Sequence, residues 1–533
     1  MSRTNSAINW QSPLKTFYES TVNPLIQPFR LSEAEAKAAI IIAALAIFTY
    51  FIFIAHHPFH NHALRLPWSP ANDQIWAGRW FNLFLVPLNY GADIPVFLPV
   101  FSIALGVFAS IWSMRVWGTR PNVMTLTIVG TGIMSFPATL AFFYYTYQTP
   151  LFFSGWFFAC LAAVFAWQAR VVPLVFATVA LILCAASYQT TLSVYATVIA
   201  GAAIASISRR DGNAKFEEGI ASVLKKIGLS AAVLALASAG YWASLKLFGI
   251  TLPSQASVND ILDLPSRLID AAGFAFQHLI ITQPDLMQTQ KRLLLIVLSI
   301  AVILSAAGII KNPVRLGLII LFWLSAVVAT KFVYIIVTLN GPPFQYRYNT
   351  SLGFLHAFSF SVILSSMLLY DGVKRKWLYM IAAISISLII TRHIQADLVR
   401  QNVLLRGVQH DLALSNRILS RMESLPELDV SQTYDLVRIG IYPPYRRTLL
   451  NSGGRQYEIF GDGHMDHGEL SAMWADEVVF ELLGSSINFR GRHDGQFMEK
   501  QQYARDNLLD ERQPWPHESS VFIHEDTIYI YMR

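Results

Sequence analysis

Apolar runs of about membrane length recur through most of this chain, and that pattern excludes an ordinary soluble fold. A bilayer-spanning helix needs roughly 20 consecutive, predominantly apolar residues. Eleven runs meet that description, at 37–55, 93–114, 123–144, 150–169, 171–188, 190–208, 227–249, 293–310, 315–338, 350–370 and 377–393. The fifth and sixth are separated only by "SYQTT", so a tight hairpin must join them. Charged residues make up 14% of the chain, where a soluble protein carries roughly a quarter. The sequence therefore predicts a polytopic α-helical membrane protein with about eleven transmembrane helices.

Lysine and arginine set the orientation. If the N-terminus is cytoplasmic, the cytoplasmic segments hold Arg3, Lys15, Arg30, Lys37, Arg115, Arg120, Arg170, Arg209, Arg210, Lys225, Lys226, Lys311, Arg315 and Lys374 to Lys376, among others. The opposite loops hold few: Arg65, Arg79, Arg267, Lys291, Arg292 and Arg347. That bias predicts an N-in topology. Residues 1–36 form a cytoplasmic segment without a cleaved signal peptide, and 37–393 the membrane domain. An odd number of spans puts 394–533 on the outer side, the periplasm in a Gram-negative bacterium. The net charge of +6 reads as this loop signal and does not point to a nucleic-acid binder.

Residues 394–533 change character. "IQADLVRQNVLLRGVQHDLALSNRILSRMESL" repeats apolar residues three and four apart, as an amphipathic helix does. "YDLVRIGIY", "EVVFELL" and "SVFIHEDTIYIYM" read as strands separated by turn signals. A small C-terminal α/β domain is expected. The two cysteines, Cys160 and Cys184, lie in apolar runs and read as buried hydrophobes rather than a disulfide or metal pair.

The chemistry-bearing residues fall on one side. The first outer loop, "RLPWSPANDQIWAGRWF", pairs Asp73 with Arg79. Asp73 fits either a helix N-cap or a general base taking the proton of an attacking hydroxyl. Arg79, about one and a half turns along a helix starting near Gln74, suits a phosphate leaving group, because guanidinium matches phosphate geometry. The turns "FYYTYQTP" and "SYQTT" carry Tyr147, Gln148, Tyr188 and Gln189. "NGPPFQYRYNTS" carries Gln345, Tyr346 and Arg347. Tyrosines belong at membrane interfaces, but tyrosine beside glutamine also suits sugar hydroxyls. Lys331 lies inside the ninth span. It either snorkels to the interface or marks a function. Together these groups suit glycosyl transfer from a lipid phosphate.

Other motifs carry less. "HHPFHNH" (His56, His57, His60, His62) lacks a regular metal-ligand spacing. "GDGHMDHGEL", around Asp462, misses the alternating acidic positions of a calcium loop and reads as a loop capping a helix. "GTGIMS" lies within a membrane run. No D-x-D or Walker A motif supports a nucleotide-sugar donor with a metal, and neither a metal nor a cofactor is expected.

"NDQIWAGRWF", "FPATLAFFYYTYQTPLFFSGWFFACLAAVFAW", "SYQTT" and "QYRYNTSLGFLHAF", with the C-terminal order of helix, α/β segment and closing strand, resemble the GtrII-like branch of bacterial multi-span glucosyltransferases, of the GT-C architecture. The resemblance implies transfer of glucose or a related hexose from a polyprenyl-phosphate donor to O-antigen or a similar glycan. It implies an acidic residue in the first outer loop, matched by Asp73. Relatives often have two adjacent acidic residues where this chain has Asn72-Asp73, which makes Asp93 the reserve base. On this reading Arg79, Lys331 and Arg347 meet the donor phosphate. Tyr147, Gln148, Tyr188, Gln189, Gln345 and Tyr346 contact the sugars. A lipid-linked-sugar flippase, an O-antigen polymerase or ligase, and a structural assembly partner are the alternatives.

Overall fold

A computed structural model of the 533-residue chain describes residues 22–56, 77–89, 96–144, 148–208, 216–251, 263–280, 288–307, 309–310, 312–336, 348–368, 373–440, 476–490 and 494–532, with residues 19 and 75. The main helices are α1 (Glu33–Thr49), α2 (Phe97–Val116), α3 (Val123–Met134), α4 (Thr149–Trp167), α5 (Val171–Ser187), α6 (Leu192–Ser208) and α7 (Phe216–Leu247). They continue with α8 (Leu264–Ile280), α9 (Gln288–Ala307), α10 (Pro313–Ala329), α11 (Thr350–Met367), α12 (Val373–Glu423) and α13 (Asp494–Asn507).

Every one of the eleven apolar runs is helical over most of its length. Among the described residues, six helices are long and apolar enough to cross a membrane: Phe97–Val116, Thr149–Trp167, Gln189–Ser208, Gly219–Leu247, Thr350–Met367 and Lys376–Glu423. α3 and Pro137–Tyr144 are together apolar and long enough for a seventh if they count as one span, but the pair is bent by 51°. The bend falls where Pro137 removes a backbone donor and the ladder cannot continue. α5 and α10 are apolar but shorter, at 17 residues each. The first run divides at Tyr50 into α1 and a short helix, Phe51–His56.

The helix starts follow local chemistry. Ser32 and Glu35 form a capping box on α1, satisfying two otherwise orphaned donors. Asn122 accepts from the backbone N–H groups of Met124 and Thr125 at 2.9 and 3.2 Å. Asn312 caps α10 ahead of Pro313, the helix position that tolerates proline. Inside the bundle, the hydroxyls of Ser102, Ser110, Ser113 and Thr197 donate to carbonyls four residues back, which hides them where no water can pair with them. Cys160 and Cys184 are free and buried, against Ser113 and Thr191. α4 lies in the centre, packed along α2 and α5. Its Gly155 lets the turn after α5 come close: a Cβ there would meet Thr191 Oγ1 at 2.6 Å.

Two expectations need correcting. "EVVFELL" is not a strand but the helix Asp476–Leu482. Its Val479 and Phe480 are buried in the C-terminal core with Leu483 beside them, and the four-residue spacing from Val479 to Leu483 fits one helical face. α8 was not anticipated, because Arg267 and Asp270 interrupt its apolar residues and leave an amphipathic helix rather than a uniform run.

The C-terminal region is a four-stranded sheet in the order β2-β1-β4-β3, with β1 (Thr433–Ile439), β2 (Asn488–Phe489), β3 (Val521–His524) and β4 (Thr527–Tyr531). β1 runs parallel to β2 and β4, and β3 pairs antiparallel with β4. Alternating residues face opposite ways. Tyr434, Leu436, Ile528 and Ile530 pack on Leu414, Ile418 and Met422 of α12. Val437, Ile439, Phe522 and Tyr529 pack on Phe497 and Ala504 of α13. The boundary at 393/394 falls inside the unbroken 51-residue α12. That helix starts beside α3, where Tyr379 meets Thr125 at 2.8 Å. It passes Thr49, whose carbonyl accepts from Gln401 at 2.6 Å, and ends against the sheet.

Candidate functional site

Polar side chains gather at one end of the bundle, where α1, α5, α7 and α10 finish and α4, α6 and α11 begin. The segment Ala77–Phe81 lies across this end as a turn rather than a helix, with Gly78 at φ 78°, a conformation that favours glycine. Three neighbours grip it. Gln189 donates from Nε2 to the Ala77 carbonyl and to the Tyr241 hydroxyl, both at 2.8 Å. The Tyr241 hydroxyl donates to the Gly78 carbonyl at 3.1 Å. The Trp80 indole N–H donates to Ser244 Oγ at 2.9 Å.

So held, Arg79 points its guanidinium inward. Nη1 donates to Gln148 Oε1 at 3.2 Å. The guanidinium carbon is 4.8 Å from the Tyr188 ring centroid and 6.0 Å from that of Phe152, a cation–π arrangement. Tyr188 is buried against Phe142 and Phe152. Sequence therefore named four residues of one constellation, Arg79, Gln148, Tyr188 and Gln189, although they come from three separate segments. Tyr241, which sequence reading missed, joins them.

Lys331 sits on the break after α10 and is fully buried. Its ammonium donates to Asn349 Oδ1 and lies 5.8 Å from the Tyr334 ring centroid. The break is fixed from both sides: Ser351 Oγ donates to the Thr330 carbonyl at 2.7 Å, and the Val333 N–H donates to Ser193 Oγ at 3.1 Å. Ser193 follows the turn Gln189–Thr191, so the Arg79 and Lys331 groups flank the same stretch, residues 188–193.

A further cluster was not foreseen. His356 of α11 and His393 of α12 are both 1% exposed. Their ring nitrogens have no hydrogen-bond partner among the described residues. Both rings pack on Phe136 at the bend, with centroids 5.8 and 6.0 Å away. One turn beyond His393, Asp397 is buried and pairs with Arg400 at 3.6 Å. His356 was visible in sequence as an ionisable residue within an apolar run, which by default marks function. Asp397 and Arg400 were hidden in an amphipathic pattern.

Asp73, Asp93, Tyr147, Gln345, Tyr346 and Arg347 lie outside the described residues, as do His57, His60, His62 and the "GDGHMDHGEL" loop. Among the described residues no group of three or more His, Cys, Asp or Glu is arranged to hold a metal ion.

The family model for glucosyl transferase GtrII matches residues 69–358, just over half of the chain. The match opens just before the Asp73 loop and closes just after His356. Neither a curated protein nor a solved structure matches the chain.

Proposed function

The chain belongs to the GtrII glucosyltransferase family, and from that premise we propose that it moves glucose or a related hexose from a polyprenyl-phosphate carrier to O-antigen or a similar cell-surface glycan. The observation that carries this reading is a pair of cations at one end of the apolar bundle: Arg79 lies over Tyr188, and Lys331 lies on the break that Val333 ties to Ser193. A sugar phosphate develops charge on its leaving oxygens as the glycosidic bond breaks. Fixed cations in a site poor in water stabilise that charge strongly.

In the proposed step, Asp73 takes the proton of an acceptor hydroxyl. The hydroxyl oxygen attacks the anomeric carbon, and the bond from that carbon to the phosphate oxygen breaks. The phosphate leaves with the electron pair toward Arg79, Lys331 and Arg347. Direct displacement inverts the anomeric centre. Asp93 is the reserve base. Tyr147, Gln148, Tyr188, Gln345 and Tyr346 face the sugars on this reading. The hydrogen bonds of Gln189 to Ala77 and Tyr241 give it the added task of holding the Arg79 turn.

The architecture in this proposal is GT-C-like. Residues 1–36 are cytoplasmic, 37–393 cross the inner membrane eleven times, and 394–533 form a periplasmic domain. The steep lysine and arginine bias supports the orientation. A flippase for lipid-linked sugars would share the membrane helices but would form no new glycosidic bond.

The test is label transfer from radiolabelled polyprenyl-phosphate glucose to cell glycan, in membranes holding wild type or Asp73→Asn at equal abundance. Transfer by wild type alone supports both the activity and the base. Transfer by neither sinks the donor assignment. Equal transfer by both moves the base to Asp93.

A further inference from the structure

At the other end of the bundle a cavity of about 550 Å³ is walled by Arg30, Arg115, Arg170, Glu35 and Gln168, among others. It is a built structure. The N-terminal segment Asn23–Phe29 is strapped beneath α2 and α4: the Trp112 indole N–H donates to the Pro28 carbonyl at 2.9 Å, and Gln168 Nε2 to the Pro24 carbonyl at 3.2 Å. Arg115 locks the strap by donating to the Pro28 and Arg30 carbonyls at 2.5 and 2.6 Å and to both Glu35 oxygens. The second Glu35 oxygen also takes the Ser32 N–H and hydroxyl, each at 2.8 Å. The one carboxylate in the wall is thus turned to Arg115 and Ser32, and three arginines leave the cavity with a positive excess.

The Arg170 side chain has no hydrogen-bond or ion-pair partner among the described residues. It stands at the start of α5, whose Val171, Val175 and Val179 are 78%, 58% and 50% exposed. These valines are four residues apart and form one apolar stripe that begins at Arg170 and runs along the bundle. Ile26 and Phe29 of the strap are exposed as well. Arg170 therefore joins a positive cavity, roomy enough for a whole lipid headgroup, to the head of an apolar track.

We propose that this cavity holds the headgroup of an anionic glycerophospholipid, with its phosphate between Arg30 and Arg170 and an acyl chain along Val171, Val175 and Val179. Arg115 and Glu35 keep the strap in place and make no new contact. The site is separate from the transfer site and requires only that the apolar helices lie in a bilayer.

The experiment is native mass spectrometry of the purified full-length protein in detergent, titrated with phosphatidylglycerol, with phosphatidylcholine, or with glycerol 1-phosphate as a competitor. The variants are Arg30→Gln/Arg170→Gln and Arg120→Gln, which removes a charge from the same end outside the cavity. Both cavity positions are exposed, so the double variant keeps the Arg115 strap. One phosphatidylglycerol should bind in preference to phosphatidylcholine. The double variant should weaken it about thirtyfold, from the worth of two basic groups at an anionic surface, and Arg120→Gln should leave it unchanged. Equal binding by wild type and the double variant overturns the proposal, as does equal loss in Arg120→Gln or equal binding of the two lipids. Displacement by glycerol 1-phosphate at matching concentration makes this a soluble-phosphate site and overturns the lipid assignment.

Discussion

The Arg79 guanidinium lies 4.8 Å over the ring of Tyr188 while donating to Gln148. A planar cation on an aromatic face keeps its edge donors available for oxygen ligands in the ring plane. An ammonium in the same place has neither the plane nor the fork.

Arg79→Gln should therefore lower the transfer rate by about 10²-fold, the usual worth of one group stabilising transition-state charge. Arg79→Lys should recover less than about a tenth of the lost rate. Initial rates of label transfer at equal protein abundance check both. Full activity in the lysine variant would show that charge alone suffices.

Lys331→Met removes the donor to a buried Asn349. A hydrogen bond to a charged group contributes about 1.5–3 kcal/mol, so the thermal midpoint in detergent should fall. Asn349→Leu removes the same bond from the other side, so adding it to Lys331→Met should lower the midpoint by less than the sum of the two single changes. Transfer should stay lost in the double variant.

Tyr241→Phe deletes the hydroxyl that donates to the Gly78 carbonyl and accepts from Gln189. Each bond contributes about 1 kcal/mol. Amide exchange across residues 77–81 should quicken by up to about thirtyfold, with the remaining helices unaffected. Unchanged exchange would mean that Trp80 and Gln189 hold the turn without Tyr241.

His356→Leu and His393→Leu each replace a buried imidazole that has no hydrogen-bond partner among the described residues with an apolar group. Removing uncompensated polar atoms should leave stability at or above that of wild type. A clear fall in the thermal midpoint would show that water or a bound ligand pairs with these rings.

The C-terminal sheet carries an acid-sensitive cluster. Lys500 donates to Asp526 at 3.1 Å, and Arg490 reaches the same carboxylate at 3.0 Å. The Lys500 hydrogen bond, the largest cause, and that of Arg490 hold the Asp526 carboxyl down at about 2, below the ordinary value of about 3.9. A depressed folded value means stability that is present above about pH 4 and is lost as the pH falls through about 2. Unfolding followed by tryptophan fluorescence should show this decline in wild type and less of it in Asp526→Asn. Identical acid profiles would exclude Asp526 as the sensitive group.

The membrane part was legible because the signal is hydrophobicity over about 20 residues, and long runs such as 93–114 and 350–370 leave no competing reading. The misses share a cause. α8 has a polar face, and "EVVFELL" is too short for period alone to separate helix from strand. At the candidate site, sequence showed residue types but not proximity. Arg79, Gln148 and Tyr188 meet only because α4, α5 and the first loop converge. The partner of Lys331, Asn349, is 18 residues away in the chain, with nothing in either local pattern to join them. Asp397 and Arg400 looked like the wet face of a helix, yet both are buried, beside Gln401, which bonds to Thr49.

α12 passes through 51 residues without a break, which at 1.5 Å per residue is about 75 Å of one stiff shaft. Its membrane end and its sheet-bearing end cannot turn independently. The height and the heading of the C-terminal domain above the bundle are therefore written as a residue count. Deleting seven residues between Arg400 and Leu412 would lower that domain by about 10 Å with little rotation, whereas deleting five would swing it by well over a quarter turn. The chain has a gauge block between its two parts, and its tolerance is a single residue.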